Sequence, residues 1–130
     1  MVPESSSNGP GPTVYIVDPD EAVRNNLESL LRPLRYAVRS FPSAEEFLDR
    51  VNGVKTGCLI IESDLPGISG LDLQETLRRQ GIDLPVIVLS RQGTVPTAVR
   101  ALRAGAIDFI EKPFIPHVLV RQVRKAVRQT

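Results

Sequence analysis

From Thr13 onward, short apolar runs alternate five times with stretches of helical period, and this alternation constrains the fold more than any other feature of the chain. Val14-Tyr15-Ile16-Val17 reads as a buried strand, followed by Val23, Leu27, Leu30, Leu31 and Leu34 at helical spacing. Tyr36-Ala37-Val38-Arg39 is a weaker second strand. Ser43 and Glu46 then form a capping box ahead of Ala44, Phe47, Leu48 and Val51. Cys58-Leu59-Ile60-Ile61 is the third strand, and Gly70 opens a helix carrying Leu73 and Leu77, with Gly81 after it. Val86-Ile87-Val88-Leu89 is the fourth strand. Thr94-Val95-Pro96 starts a helix with Val95, Val99 and Leu102 on one face, stopped at Gly105. Ala106 to Ile110 is the fifth strand. Pro116 stands near the start of the last helix, whose apolar stripe is Leu119, Val120, Val123, Ala126 and Val127.

Five strands, each followed by a helix, predict an α/β three-layer sandwich: a parallel sheet covered on both faces by right-handed crossovers. Fully apolar runs belong in the middle of such a sheet, and runs broken by polar residues tolerate an edge. Strands one, three and four are the apolar ones, whereas Arg39 and Asp108 interrupt strands two and five. This matches a five-stranded, flavodoxin-like (βα)5 sheet in the order 2-1-3-4-5. In that order ligands sit outside the carboxyl ends of strands one and three, so the residues just beyond those strands are where chemistry is expected.

Residues 1–12 are dominated by Pro, Gly, Ser and Asn and cannot bury enough apolar surface to offset ordering, so they are expected to be a flexible tail ahead of one domain, 13–130. The formal charge is +1, but it is unevenly spread. Residues 1–90 hold 8 basic and 13 acidic side chains and residues 91–130 hold 8 basic and 2 acidic ones, making the C-terminal part the face for an acidic partner. The single cysteine, Cys58, has no partner for an internal disulfide and lies in an apolar run, which is the pattern of a buried small hydrophobe. No apolar stretch is long enough for a membrane span and the N-terminus lacks a secretory pattern, so the chain is expected to be cytoplasmic.

The predicted strand ends carry Asp18-Pro19-Asp20-Glu21, then Glu62-Ser63-Asp64, then Ser90, then Glu111-Lys112-Pro113-Phe114. Any one of these is ordinarily a helix cap or a solvated loop residue. Together, acids, a hydroxyl and a lysine converge on one rim from four strands. Along with Leu65-Pro66-Gly67-Ile68-Ser69-Gly70, Gly93-Thr94-Val95-Pro96, Ala104-Gly105-Ala106 and Asp108 to Phe114, they make the segment from Thr13 to Arg128 resemble a CheY-like response-regulator receiver domain. The last two motifs are especially similar to receivers of two-component transcriptional regulators that carry a C-terminal helix-turn-helix.

The resemblance implies a phosphorelay in which an aspartate ending strand three accepts a phosphoryl group from a histidine kinase. Mg²⁺ would be held by that aspartate and an acidic pair after strand one. By position, Asp18 matches the first acid of the pair, Ser90 the hydroxyl residue and Lys112 the phosphate-binding lysine. Lys112-Pro113 falls at the family's cis peptide, and Phe109 matches the switch aromatic. Two positions depart from the pattern. Pro19 replaces the second acid, and Glu62 occupies the phosphoacceptor position.

Both departures work against a metal. Mg²⁺ demands near-octahedral oxygens at about 2.0–2.1 Å, and glutamate sets its carboxylate ~1.5 Å further out than aspartate. Pro19 adds no carboxylate and fixes φ in the loop that would wrap the ion. No cofactor and no tightly held metal are therefore expected, with Asp18, Glu62 and Asp64 as weak candidate ligands. The remaining acids of the pocket, Asp18, Asp20, Glu62 and Asp64, repel one another, and Lys112 is the natural counter-charge. A Glu62 to Lys112 ion pair would fill the space a phosphate takes, with a positional rather than a stabilising role.

Two versions follow. Glu62 partly mimics the phosphorylated state through Lys112 and Ser90, or it inactivates the pocket of a static dimerisation module. In either case the chain is a pseudo-receiver and not an enzyme. The alternative is a Mg²⁺-dependent receiver using Asp64 or Asp18 as acceptor.

Arg91 could cover the pocket mouth or remain a solvated loop residue. His117, the only histidine, reads as inert. There is no zinc-type cluster, phosphate loop or Ser/His/Asp set. A flavin-binding reading of the same sheet order conflicts with the acidic rim. Arg121, Arg124, Lys125 and Arg128, with Arg100 and Arg103, mark either solvated surface or a homodimer face built from helix four, strand five and helix five. DNA contact is expected only through a further domain beyond Thr130, since this domain offers no helix-turn-helix. A histidine kinase or another regulatory protein is the expected input partner.

Overall fold

The apolar runs become β1 (Thr13–Val17), β2 (Ala37–Phe41), β3 (Gly57–Glu62), β4 (Val86–Ser90) and β5 (Asp108–Glu111). They form one parallel sheet in the order β2-β1-β3-β4-β5, with Val17 opposite both Phe41 and Ile61 and with Ser90 opposite Glu111. The helices are α1 (Glu21–Leu31, continued by a 3-10 turn at Arg32–Leu34), α2 (Ala44–Arg50), α3 (Gly70–Arg79), α4 (Val95–Arg103) and α5 (Pro116–Arg128). This computed structural model describes residues 11–51 and 56–129, so residues 1–10 of the expected tail lie outside the described residues. The Pro12 carbonyl already accepts from Ala37 N at 3.1 Å, at the edge of the sheet.

Strand side chains alternate between the two faces, and here each face has its own core. Val14, Ile16, Cys58, Ile60, Ile87 and Leu89 pack with Leu27 and Leu31 of α1 and with Leu119, Val123 and Ala126 of α5. Tyr15, Val17, Leu59, Ile61, Val86 and Val88 pack with Ala44 and Phe47 of α2, Leu73 and Leu77 of α3 and Ala101 of α4. Each such aliphatic side chain contributes about 1.5–3 kcal/mol on burial. Burial also pushes the Cys58 thiol up to about 12, far from a reactive thiolate.

Helix starts are set locally. Asp20, Ser43, Ser69 and Thr94 each accept a backbone N–H of the first turn, the last three in the Ser/Thr pattern expected two or three residues into a helix. Gly70 is required by close approach, because a Cβ there would lie 2.2 Å from the Glu62 carbonyl oxygen. The start of α3 is thereby pressed against the end of β3.

The structure corrects the sequence reading in two places and shows what the apolar face of one helix meets. β2 runs on to Phe41 instead of ending at Arg39, because Phe41 packs edge-on against Phe47 with ring centres 5.5 Å apart. β5 occupies Asp108–Glu111, two residues after the expected start, since Gly105 and Ala106 complete the turn from α4 and pairing begins with Ile107 N on the Val86 carbonyl at 2.7 Å. The apolar face of α4 points outward: Val95, Val99 and Leu102 are 77, 39 and 48% exposed, and Ala101 alone of that helix is buried among the described residues. Polar contacts hold α4 to α3. Gln74 Nε2 donates to the Ala101 carbonyl at 3.0 Å, and Arg100 reaches Asp72 and Glu75 at 2.9 and 3.0 Å.

Among the described residues no helix is long and apolar enough to cross a membrane.

Candidate functional site

The alternation of side chains along each strand decides which rim residues meet. Asp18 continues the even-numbered face of β1, and Glu62 ends the even-numbered face of β3, so both carboxylates lie on the α1/α5 side of the sheet with Ile16 and Ile60. Lys112, one residue past β5, returns into the same space. Its Nζ donates to Asp18 Oδ2 at 2.7 Å and lies 2.6 Å from Glu62 Oε1. The second contact is an ion pair and not an aligned hydrogen bond. All three side chains are deeply placed, at 1% (Asp18), 3% (Glu62) and 10% (Lys112) exposure. Burial of the ammonium works against its charge, but the hydrogen bond to Asp18 and the close contact with Glu62, together with their charges, prevail and hold Lys112 above the usual lysine range.

Backbone groups tie the carboxylates down. Asp18 Oδ1 accepts from Asp20 N at 2.9 Å, and Glu62 Oε2 accepts from Asp64 N at 2.8 Å. The Lys112 backbone N–H donates to the Ser90 carbonyl at 2.8 Å, and the Lys112-Pro113 peptide bond is cis. Arg24 of α1, which the sequence did not single out, donates to the Asp18 carbonyl at 2.7 Å.

Ser90 lies on the opposite face. It shares the parity of Val86 and Val88, and the next residue of that parity on the neighbouring strand is Ser63. Ser63 Oγ stands 2.9 Å from Ser90 Oγ and 3.2 Å from Glu62 Oε2. Ser63 is the donor in both contacts, and a hydroxyl carries one proton, so it is shared between the Ser90 hydroxyl and the Glu62 carboxylate. Glu62 and Ser90 thus meet at Ser63, a residue whose part in the site was readable only from its place one step beyond Glu62.

The four acids of the expected pocket divide two and two. Asp18 and Glu62 are buried on Lys112, whereas Asp20 and Asp64 are exposed. Asp20 caps α1 by accepting from Ala22 N, and Pro19 is exposed in the loop between the two aspartates. Among the described residues no three carboxylate, imidazole or thiol groups converge as metal ligands. Phe109 is half buried with its ring against Gly93, beside Thr94, Val95 and Glu111. Arg91 and His117 are exposed, as are Arg121, Arg124, Lys125 and Arg128 on α5.

Known proteins share this arrangement of elements. The family model of the response regulator receiver domain matches residues 14–124. Response regulator protein TodT of Pseudomonas putida strain F1 is 43% identical over 115 residues, which is 88% of this chain and 51% of TodT. Transcriptional regulatory protein FixJ of Rhizobium meliloti strain 1021 is 41% identical over 114 residues, covering 88% of this chain and 56% of FixJ. The chain spans about half the length of the curated relatives it matches. Among solved structures, a response regulator receiver protein from Pseudoalteromonas atlantica superposes with a TM-score of 0.85 at 43% identity, over 91% of this chain and 98% of that one. The crystal structure of FixJ-N gives a TM-score of 0.83 at 40% identity, over 91% and 94%.

Proposed function

The chain belongs to the response regulator receiver family, and from that premise we propose that it is a pseudo-receiver, a signalling and interaction module of a two-component transcriptional regulator that works without phosphorylation of its strand-three acid. One observation carries this reading: the Lys112 ammonium is seated between Glu62 and Asp18, at 2.6 and 2.7 Å, in the space between the carboxyl ends of β1 and β3.

A receiver's divalent ion would supply positive charge next to the acceptor acid. The residues here do not fit one. Among the described residues only two buried carboxylates are on offer there, both engaged with Lys112, and Pro19 adds no carboxylate. Glu62 further commits Oε2 to Asp64 N, which leaves little freedom to meet octahedral geometry.

Glu62 instead acts in part as a fixed substitute for a phosphoryl group. It holds Lys112 directly and competes with Ser90 for the Ser63 hydroxyl, so it engages the surroundings of both side chains that would grip a phosphate and biases α4 and Phe109 without a kinase step. Self-association through α4, β5 and α5, a cytoplasmic location, and DNA contact through a further domain complete the proposal. The input partner is a histidine kinase or another regulatory protein.

Incubation with acetyl phosphate and Mg²⁺, followed by intact-mass measurement, tests the reading. No phosphoryl adduct is expected on the parent chain, and the double variant Pro19→Asp with Glu62→Asp is expected to acquire one. A stoichiometric adduct on the parent, abolished by Asp64→Ala or by Asp18→Ala, overturns the reading in favour of a working Mg²⁺-dependent phosphoacceptor.

A further inference from the structure

Lys112 joins Asp18 and Glu62 in a triad of buried charges, and it also lines a cleft that the two carboxylates do not. The cleft has a volume of about 360 Å³ and is lined by Val23 and Asn26 of α1, Arg91 after β4, and Lys112, Pro113, Phe114 and Pro116 leading into α5. That volume falls in the range of small-molecule sites, ~300–1,000 Å³. Val23, Pro113, Phe114 and Pro116 give it apolar walls, and its polar groups are few and of one kind.

Those polar groups favour an anion. Arg91 is exposed, and among the described residues its guanidinium makes no hydrogen bond or ion pair. Among the described residues the Asn26 side chain is likewise without a hydrogen bond. Pro116 is the first residue of α5, a helix of 13 residues with no side-chain cap and no acid in its first turn, so the positive end of its dipole meets the cleft uncompensated. Lys112 presents three N–H groups, of which Asp18 takes one in an aligned hydrogen bond, while Glu62 stands 2.6 Å away as an ion pair. Among the cleft-lining residues there is no acid.

We infer that this cleft is a binding site for a small apolar monocarboxylate, its carboxylate held by Arg91 and a remaining N–H of Lys112 and its body laid against Val23, Pro113 and Phe114. A planar guanidinium at the mouth suits bidentate carboxylate recognition. The site is limited to one negative charge because Asp18 and Glu62, sharing a single ammonium, leave a net negative charge beside Lys112. The ligand competes with Glu62 for that ammonium, which couples occupancy of the cleft to the triad. The inference does not depend on whether any residue of this chain accepts a phosphoryl group.

The test is an NMR titration of the ¹⁵N-labelled chain with 2-naphthoate and, as the neutral isostere, 2-naphthamide. Saturable shifts on Val23, Asn26, Arg91 and Phe114 are expected with naphthoate, and weaker binding, by about tenfold, with the amide. Arg91→Gln, an exposed change that leaves the fold intact, should weaken naphthoate by a similar factor and leave the amide unchanged. Glu62→Gln should tighten naphthoate several-fold by freeing the ammonium. Equal affinity for acid and amide, shifts confined to the exposed apolar face of α4, or no saturation at millimolar naphthoate would overturn the inference, the last leaving the cleft to a side chain of a partner protein. Unchanged naphthoate affinity in Glu62→Gln would overturn the shared ammonium.

Discussion

The rim at the carboxyl ends of the strands and the outer face of α4 invert the usual rule in opposite directions. At the rim three charged side chains are buried; on α4 three aliphatic side chains face water. The first inversion is closed within the chain. Every carboxylate oxygen of Asp18 and Glu62 meets Lys112, a backbone N–H or a hydroxyl. The second is left open, since nothing in the described fold covers Val95, Val99 and Leu102. A buried charge must be compensated where it stands, because an unpaired ion in a low-dielectric interior costs several kcal/mol. An exposed aliphatic residue costs little and can await a partner. The rim is therefore where substitutions should disturb the fold itself, and α4 where they should disturb association.

The largest effect is expected from Lys112→Met, which keeps volume but strands two buried carboxylates. Breaking such a group by removing one partner costs roughly 3–5 kcal/mol, and urea unfolding reads it directly. A loss under 1 kcal/mol would mean that the rim charges are as well solvated as a surface pair, and the contrast with α4 would fail. Glu62→Gln is milder. The amide still offers an oxygen to Asp64 N and Asp18 still holds the ammonium, so a loss of about 1.5–3 kcal/mol is expected, the range for a contact with a charged group.

The same pair sets a pH dependence. Lys112 titrates above its ordinary value of 10.5 because the ammonium gains partners on folding. Its contribution to stability is therefore complete below that value and declines as pH rises through the higher folded-state value. Unfolding midpoints measured between neutral and strongly alkaline pH should fall in that window. In Glu62→Gln, which has lost one of the two partners, the onset, set by the unfolded chain, should stay where it is and the fall should be smaller and end at lower pH; identical profiles would show that Glu62 contributes nothing to holding the proton.

The layers and the strand order were legible because burial on both faces forces continuous apolar runs, and only Arg39 and Asp108 break them. The rim acids were legible as a set but not as a geometry. Which of Asp18, Asp20, Glu62 and Asp64 turn inward depends on strand parity beyond the last paired residue and on a cap: Asp20 spends its carboxylate on Ala22 N, and Asp64 contributes its backbone instead of its side chain. Ser63 was passed over because it differs from neither a loop serine nor a cap until its parity is matched with that of Ser90. The α4 stripe has a helical period, which leaves open whether that face meets the core or solvent. Its true direction follows from Gln74 and Arg100, which tether the other side of the helix to α3. A period reports that one face is apolar and says nothing about what that face meets.

That last point yields the smallest expected change in stability and the sharpest test of the contrast. Val99→Lys and Leu102→Gln remove apolar surface that folding does not bury, and surface substitutions of this kind stay within about 0.5 kcal/mol. Both should unfold at the parent's urea midpoint. In sedimentation equilibrium, self-association through α4, β5 and α5 should weaken in each, since a polar or charged group must then be desolvated at the contact. Loss of stability without loss of association would place these side chains in the core after all and reverse the comparison; intact stability with intact association would remove α4 from the dimer face while leaving the buried rim as described.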